Sequence, residues 1–328
     1  MKYVAGALLL LSAACAPIVE RPGPVIAQPR LHDYFFSTAD GTTLPFRVWM
    51  PDDGNPKAVI VALHGFNDYG NFFALPGEYL SERGVASYAY DQRGFGATSK
   101  AGLWPGAAAM KDDLRVFARL VRARHPDTPL YLLGESMGGA VILSAAAEAP
   151  LDADGVILSA PAVWGRVAMP WYQRFALWLG ARTMPWAKVS GRGLDIVPSD
   201  NVEMLRALGR DALVIKETRV DAIHGLVSLM DEALEAAPRF EAKALILYGR
   251  KDEIIPKAPT RLMLERFSAP QRARQRVAFY AEGYHMLLRD LSAEIPWRDI
   301  AAWIADAGEP LPSGADRVSA DVALGAAR

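Results

Sequence analysis

The chain has 328 residues, 51% of them hydrophobic and 22% charged, with a formal net charge of −1. These values suit a globular protein with a sizeable core and leave no electrostatic case for a nucleic-acid partner. Cys15 is the single cysteine, which excludes a disulfide framework and a thiolate metal site; the five histidines (His32, His64, His125, His224, His285) show no H-x-x-x-H pair, so no metal is expected.

Lys2 precedes an apolar run from Val4 to Leu11, followed by Ser12-Ala13-Ala14-Cys15. That run is too short for a permanent span, which needs about 20 residues, and it suits an export signal with a small-residue cleavage site. Leu11 to Cys15 also resembles a bacterial lipobox, which makes Cys15 the expected lipid anchor of a cell-envelope protein. The alternative is simple cleavage near Ala14 and a periplasmic or secreted product. Residues 16–30 carry Pro17, Pro22, Pro24 and Pro29 and read as an extended tether.

The main domain is expected over residues 31–306. Residues 33–37 and 43–50 flank Ala39-Asp40-Gly41, and an Asp-Gly turn between β-rich runs predicts an antiparallel hairpin. Residues 57–63 (KAVIVAL) form a continuous apolar run, the mark of a strand buried on both faces. It leads into His64-Gly65-Phe66-Asn67-Asp68-Tyr69-Gly70. A helix through Glu78–Arg83 and a strand through Val85–Tyr90 follow, then the loop Asp91-Gln92-Arg93-Gly94-Phe95-Gly96. Residues 107–125 place Met110, Leu114, Phe117, Leu120 and Val121 on one helical face.

The stretch from Pro129 to Ala149 runs from a buried strand pattern (Leu130–Leu133) through Gly134-Glu135-Ser136-Met137-Gly138 into an Ala-rich helix pattern. A strand–turn–helix context makes G-x-S-x-G a nucleophile elbow, with Ser136 exposed at the carboxyl edge of a sheet. The turn is so sharp that the positions two before and two after the serine must be nearly free of side chain, as Gly134 and Gly138 are.

A strand at Gly155–Ser159 follows, and then the strand rhythm stops from about 161 to 238. This insert holds Trp164, Trp171, Trp178 and Trp186. Trp171, Phe175, Trp178 and Leu179 recur at helical spacing, as do Val220, Ile223, Leu226, Val227, Met230 and Leu234. Such helices at the rim of a sheet form a cap, and the aromatic stripe serves either packing or substrate. Strands resume at Ala244–Tyr248, before Gly249-Arg250-Lys251-Asp252-Glu253, and at Arg276–Tyr280, before Gly283-Tyr284-His285. A closing helix spans roughly Glu294–Ala305, and residues 307–328 lose periodicity and predict a loose tail. Alternating strands and helices give an α/β fold: a mainly parallel central sheet, helices on both faces, and a helical cap insert. Ligands bind beyond the carboxyl ends of such strands, so the loops at His64-Gly65, Asp91-Gln92 and the elbow are expected to share one rim.

Acyl transfer needs a nucleophile, a base, a group that orients the base, and oxyanion donors. Ser136 cannot attack an ester at neutral pH without a base in reach. His285 is the one histidine that follows both Ser136 and an acid-bearing loop, itself in a loop after a strand. Asp252 directly follows the turn after its strand; Glu253 is a local rival and Asp290 a remote one. The backbone N–H groups of Met137 and Phe66 are the expected oxyanion donors.

On His64-Gly65, Asp91-Gln92-Arg93-Gly94-Phe95-Gly96, Gly134-Glu135-Ser136-Met137-Gly138-Gly139, Gly249–Asp252 and His285, the chain resembles the monoacylglycerol lipase/lysophospholipase branch of the serine α/β-hydrolases, over roughly residues 32–306. That family tends to read His-Gly-x-Gly-Glu-His, Asp-His-Arg-Gly-His-Gly and Gly-His-Ser-Met-Gly-Gly. Here Phe66-Asn67-Asp68-Tyr69 continues the first motif, Gln92 and Phe95 replace histidines, and Glu135 replaces the elbow histidine. The resemblance implies hydrolysis of an ester of a single long acyl chain under a hydrophobic cap, without a cofactor, with Asp91 and Arg93 structural. It assigns Glu135 no role. A short-chain carboxylesterase and a non-catalytic ligand-binding protein on the same frame are the competing readings.

Overall fold

The computed structural model describes residues 17–191, 193 and 195–325. Cys15 and the export signal expected at residues 1–15 lie outside the described residues.

Strand β1 (Arg30–Leu31) pairs antiparallel with β2 (Phe35–Ser37), and β2 pairs antiparallel with β3 (Thr43–Trp49) across the expected Asp-Gly turn. Strand β4 (Ala58–Leu63) follows, then α1 (Ala74–Ser81) and β5 (Val85–Tyr90). Helix α1 starts earlier than the expected 78–83. Pro76 sits in its first turn, where a missing N–H breaks no intrahelical bond. Helix α2 (Ala107–Arg124), β6 (Leu130–Glu135), α3 (Met137–Glu148) and β7 (Gly155–Ser159) stand where the periodicities put them. The insert holds α4 (Trp171–Thr183), a two-stranded ribbon of β8 (Lys188–Val189) with β9 (Thr218–Arg219), α5 (Val202–Arg210) and α6 (Val220–Ala236). Then come β10 (Ala244–Gly249), α7 (Lys257–Arg266), β11 (Gln275–Tyr280), α8 (Glu294–Ala305) and α9 (Ala320–Leu324).

Among the described residues the main sheet has nine strands in the order β1-β2-β3-β5-β4-β6-β7-β10-β11, parallel from β5 to β11. Alternate residues of β4 enter opposite cores, which is why its apolar run is unbroken. Val59, Val61 and Leu63 meet Met110, Leu114 and Phe117 of α2 and the apolar body of α3. Ile60 and Ala62 share the other core with Leu80 of α1 and with Ile300 and Trp303 of α8.

The insert divides into two kinds of structure. Helix α6 buries Val227, Met230, Ala233 and Leu234 in the same core as α3, so it belongs as much to the main body as to a cap. Helix α4 instead leaves Trp171, Phe175 and Trp178 at 76%, 55% and 49% exposure and buries only Ala181. Its aromatic stripe therefore does not serve intramolecular packing. Helix α5 has no counterpart in the sequence reading; Asn201 caps it by accepting the amide of Met204 at 3.1 Å.

Two terminal segments differ from expectation. The segment after Pro17 is not a free tether. The amide of Glu20 donates to the Trp104 carbonyl at 2.8 Å, Gly23 donates to Asp40 at 3.0 Å, and Ile18 donates to Asp221 of α6 at 3.3 Å. The segment from residue 307 is likewise docked rather than loose. Leu311 and Ala315 are buried with α8 and β11, while Ala323 and Leu324 close over Tyr248 and Phe279 of β10 and β11. It covers the flank of the edge strand β11, an otherwise unpaired sheet edge. No helix among the described residues is long and apolar enough to cross a membrane.

Candidate active site

Ser136 lies between β6 and α3 with φ 52° and ψ −112°, a left-handed backbone that a side-chain-bearing residue seldom adopts. Strain of this kind persists only where the surroundings enforce it. Here they do. A Cβ at Gly138 would run into the carbonyl of Leu63 in β4, and one at Gly134 into the backbone at Gly138 and Gly139. The Ser136 amide donates to the Ser159 carbonyl at 2.9 Å, and its carbonyl accepts from Ala162, so the turn is tied to the end of β7 and to the segment that follows it.

At the end of β10, Asp252 is buried, and its Oδ1 accepts the amides of Ile254 and Ile255 at 2.8 and 2.9 Å. Its Oδ2 stands 2.8 Å from Nδ1 of His285, which is itself buried in the loop after β11. Two amides orient the carboxylate, and the carboxylate orients the ring. This bond places the proton on Nδ1 and leaves Nε2 able to accept one, the tautomer that a general base would need. Burial pushes the imidazole toward a lower pKa, but Asp252, with Glu135 behind it, outweighs burial and the net shift is upward from 6.5.

The rival acids are committed elsewhere. Glu253 accepts the Val197 amide at 2.8 Å, and Asp290 accepts the Ser199 hydroxyl at 2.6 Å and the Tyr284 amide at 2.8 Å. Both thereby stitch the segment before α5 to the loops that carry Asp252 and His285. Burial foremost pushes the Asp290 carboxyl up to about 6.

The oxyanion-loop candidate Phe66 follows Gly65, whose Cα side faces the Cβ of Ser136: a methyl built there would lie 3.4 Å away. Met137 opens α3, and its N–H is one of the first-turn donors that a helix does not use internally. His64 shapes this loop. Its Nε2 accepts the Gln92 amide at 2.9 Å, so the ring proton is on Nδ1, which donates to the Gly65 carbonyl at 2.7 Å. Burial lowers its pKa and keeps it neutral in this role. Asp91 accepts the amides of Gly70 and Ala97 at 2.9 Å each, and Arg93 pairs with Asp40 and Asp113 at 2.8 Å each. Both side chains brace loops.

Two residues that meet Glu135 or its partner at this site, Arg289 and Asp68, had no signal in the sequence. Nη2 of Arg289 stands 2.8 Å from Oε1 of Glu135 and 2.7 Å from Oδ2 of Asp68, and all three side chains are buried. A carboxylate at an elbow flanked by apolar residues demands a buried cation. Nothing in one dimension identifies which one.

The Hydrolase_4 family model, described as serine aminopeptidase, S33, matches residues 54–292, well over half of the chain. The chain is 25% identical over 284 residues to a monoacylglycerol lipase of Mycolicibacterium smegmatis, covering 83% of this chain and 96% of that protein. It is 28% identical over 265 residues to the monoglyceride lipase of Rattus norvegicus, covering 77% and 83% respectively. Among solved structures, a soluble variant of monoglyceride lipase from Saccharomyces cerevisiae in complex with a substrate analog superposes with a TM-score of 0.70 at 20% identity, over 87% of this chain and 98% of that one. The monoacylglycerol lipase of Paleococcus ferrophilus superposes with a TM-score of 0.65 at 22% identity, over 80% and 98%. The chain belongs to the Hydrolase_4 family of α/β-hydrolases and is a monoacylglycerol lipase-like serine ester hydrolase.

Proposed function

We propose that this protein hydrolyses carboxylic esters of single acyl chains, monoacylglycerol or lysophospholipid, through an acyl-enzyme on Ser136. The observation that carries this reading is the bond from Asp252 to Nδ1 of His285 on the same rim as the strained elbow. In the first half-reaction Ser136 Oγ attacks the ester carbonyl carbon and passes its proton to Nε2 of His285, while Asp252 holds the imidazolium. The carbonyl oxygen takes up the negative charge and is met by the N–H groups of Phe66 and Met137, a donor pair in which each member is typically worth roughly 3–4 kcal/mol. Collapse expels the alkoxide, glycerol or glycerophospho-alcohol, which takes the proton from His285. Water then repeats the sequence on the acyl-serine and releases the fatty acid.

The names of the relatives support a glyceride substrate. So does the surface of the cap: α4 exposes Trp171, Tyr172, Phe175 and Trp178 and carries Arg174 and Arg182 but no acidic residue. Aromatic side chains interleaved with arginine suit the interface of a lipid aggregate. Lipid modification at Cys15 of an exported chain would hold this face near its substrate. Replacing Cys15 with serine tests the anchor, which is refuted if the variant stays in the membrane fraction.

Labelling by a fluorophosphonate probe tests the chemistry. It is expected in the wild-type protein and absent in Ser136→Ala; folded wild-type protein that does not label would leave only a binding role. Competition by monoacylglycerol and by lysophospholipid ranks the two substrates. A series of p-nitrophenyl esters from acetate to palmitate tests chain length, and a rate maximum at two to four carbons would replace this reading with a short-chain esterase.

A further inference from the structure

The ion cluster beside Ser136 joins three loops that are remote in sequence. Asp68 lies two residues beyond Phe66 in the loop after β4, Glu135 immediately precedes Ser136, and Arg289 lies four residues beyond His285. A single nitrogen, Nη2 of Arg289, reaches both carboxylates: it donates a hydrogen bond to Glu135 at 2.8 Å and makes an ion contact with Asp68 at 2.7 Å. The remaining contacts of the three residues extend the same connection. Oδ1 of Asp68 accepts the Tyr69 amide at 2.8 Å, and the Asp68 amide donates to the Gly65 carbonyl at 3.3 Å, closing the turn that presents Phe66. The Arg289 amide donates to the Met286 carbonyl at 2.7 Å, closing the turn that follows His285. Its carbonyl accepts Nδ2 of Asn201 at 3.0 Å, from the segment that leads into α5.

Stability alone does not account for such a cluster. A buried ion network replaced by apolar side chains of similar volume is often no less stable, because desolvation offsets the mutual attraction. What charges do better than apolar packing is hold a distance and a direction, since a guanidinium bonds along fixed N–H vectors. The three loops so held carry the oxyanion donor, the nucleophile and the base, whose mutual placement sets the rate of acyl transfer.

Resting on the acyl-transfer reading above, we propose that Arg289 is a positioning residue of this active site. Through Asp68 and Glu135 it keeps the oxyanion loop, the nucleophile elbow and the histidine loop in one register. Glu135, which stands where related enzymes tend to carry histidine, is the elbow's handle for Arg289 and not a second base. The cluster also sets the field at His285. Asp252 faces that ring from the β10 loop, Glu135 from the elbow and Arg289 from its own loop, with Asp68 behind Arg289 and Asp290 bonded to Tyr284 beside it. Glu135 favours the imidazolium and Arg289 opposes it.

Three variants of the full chain test this: Arg289→Met, Arg289→Lys and Glu135→Gln. Each is assayed on the p-nitrophenyl ester that the wild type turns over fastest, with folding followed by circular dichroism and active sites counted by exhaustive fluorophosphonate labelling. Arg289→Met is expected to lower kcat per labelled site about 100-fold, the scale of a misplacement near 1 Å, with little change in KM. It moves the acid limb of kcat/KM to higher pH, whereas Glu135→Gln moves it to lower pH, each by at least about half a unit. Arg289→Lys keeps the limb near that of the wild type but recovers kcat only in part, because an ammonium cannot reproduce the planar guanidinium geometry at two carboxylates. A folded Arg289→Met protein with wild-type kcat and an unmoved limb overturns the proposal. So does an equal loss in the Met and Lys variants with no movement of the limb, which would mark plain packing. If Arg289→Met does not fold, the other two decide: kcat within about threefold of wild type and an unmoved limb in both overturn it. Failure of the hydrolase reading itself looks different, since the wild type would then neither label nor turn over.

Discussion

Oδ2 of Asp252 lies 2.8 Å from Nδ1 of His285, while Oδ1 of the same carboxylate is held by the amides of Ile254 and Ile255. The carboxylate beside His285 is therefore itself oriented, by two backbone donors that only a proline substitution would remove. Asp252→Asn keeps an oxygen for those amides and turns an NH2 group toward Nδ1. The ring is then driven to the tautomer protonated on Nε2, which cannot accept the serine proton. We expect kcat to fall about 10⁴-fold with the fold intact, by analogy with the equivalent change in a serine protease. In the wild type the acid limb of kcat/KM should lie above the ordinary histidine value of 6.5, because the base must be neutral and its pKa is raised. In Asp252→Asn the limb should move down. A wild-type limb below 6.5 would refute the assignment of His285 as base.

Gly138→Ala tests the elbow by sterics alone. The added methyl meets the Leu63 carbonyl, a backbone group in the middle of the sheet that cannot swing aside. We expect destabilisation of about 3 kcal/mol or more, read by urea unfolding, or no soluble protein at all. Gly209→Ala in α5, where a Cβ would meet nothing within 4 Å, is the control for replacing a helical glycine without a clash.

Asp290 predicts a pH-dependent stability. Its folded pKa of about 6 lies above the ordinary 3.8, because burial disfavours the charged form. The stability linked to its protonated form is therefore fully present below pH 3.8 and is lost as the pH rises through about 6. Asp290→Asn can still accept the Tyr284 amide and can donate to Ser199, and it carries no charge to desolvate. The melting temperature of the variant relative to wild type should be higher at pH 8 than at pH 4. A difference that does not change with pH would remove Asp290 from the account.

The exposed face of α4 predicts a substrate-presentation effect. Replacing Trp171, Phe175 and Trp178 with alanine removes apolar surface that touches no core. Turnover of a soluble p-nitrophenyl ester should stay unchanged, while turnover of monoacylglycerol held in anionic vesicles should fall about tenfold or more. Equal effects on both substrates would place these residues in the substrate path instead.

The parts of the site that were legible in the sequence are those governed by local physics. The glycines around Ser136 are dictated by a turn that spans five residues, and the unbroken apolar runs of β4, β6 and β10 report burial on both faces of a sheet. The order of serine, acid and histidine places three loops on one rim once the strands are parallel. The place of Asp252 directly after the turn that follows its strand favours it over Glu253 and Asp290 in the sequence, and in the structure the partners of the three differ: Asp252 bonds His285, Glu253 the Val197 amide, and Asp290 Ser199 and Tyr284. Helix α5 is not legible although Met204, Leu205 and Leu208 share one face, because nine residues give that pattern barely two turns; the Asn201 cap fixes where it begins. The segment 17–29 reads as loose because it is held by backbone hydrogen bonds such as Glu20 to Trp104 and buries no side chain, and 307–325 because it buries isolated side chains such as Leu311 and Leu324 through loops and short turns; neither mode has a repeat to detect.

By itself, then, the sequence determined the elbow and the strands of the parallel sheet, each of which follows from steric or hydrophobic demands within a few residues of chain, and it displayed the order of serine, acid and histidine. Only the tertiary structure decided what answers the carboxylate of Glu135. Its partner Arg289 is 154 residues away, and Asp68, on the same guanidinium nitrogen, lies in a third loop. An ion pair has no sequence period and no required spacing; it exists where folding brings opposite charges together out of water.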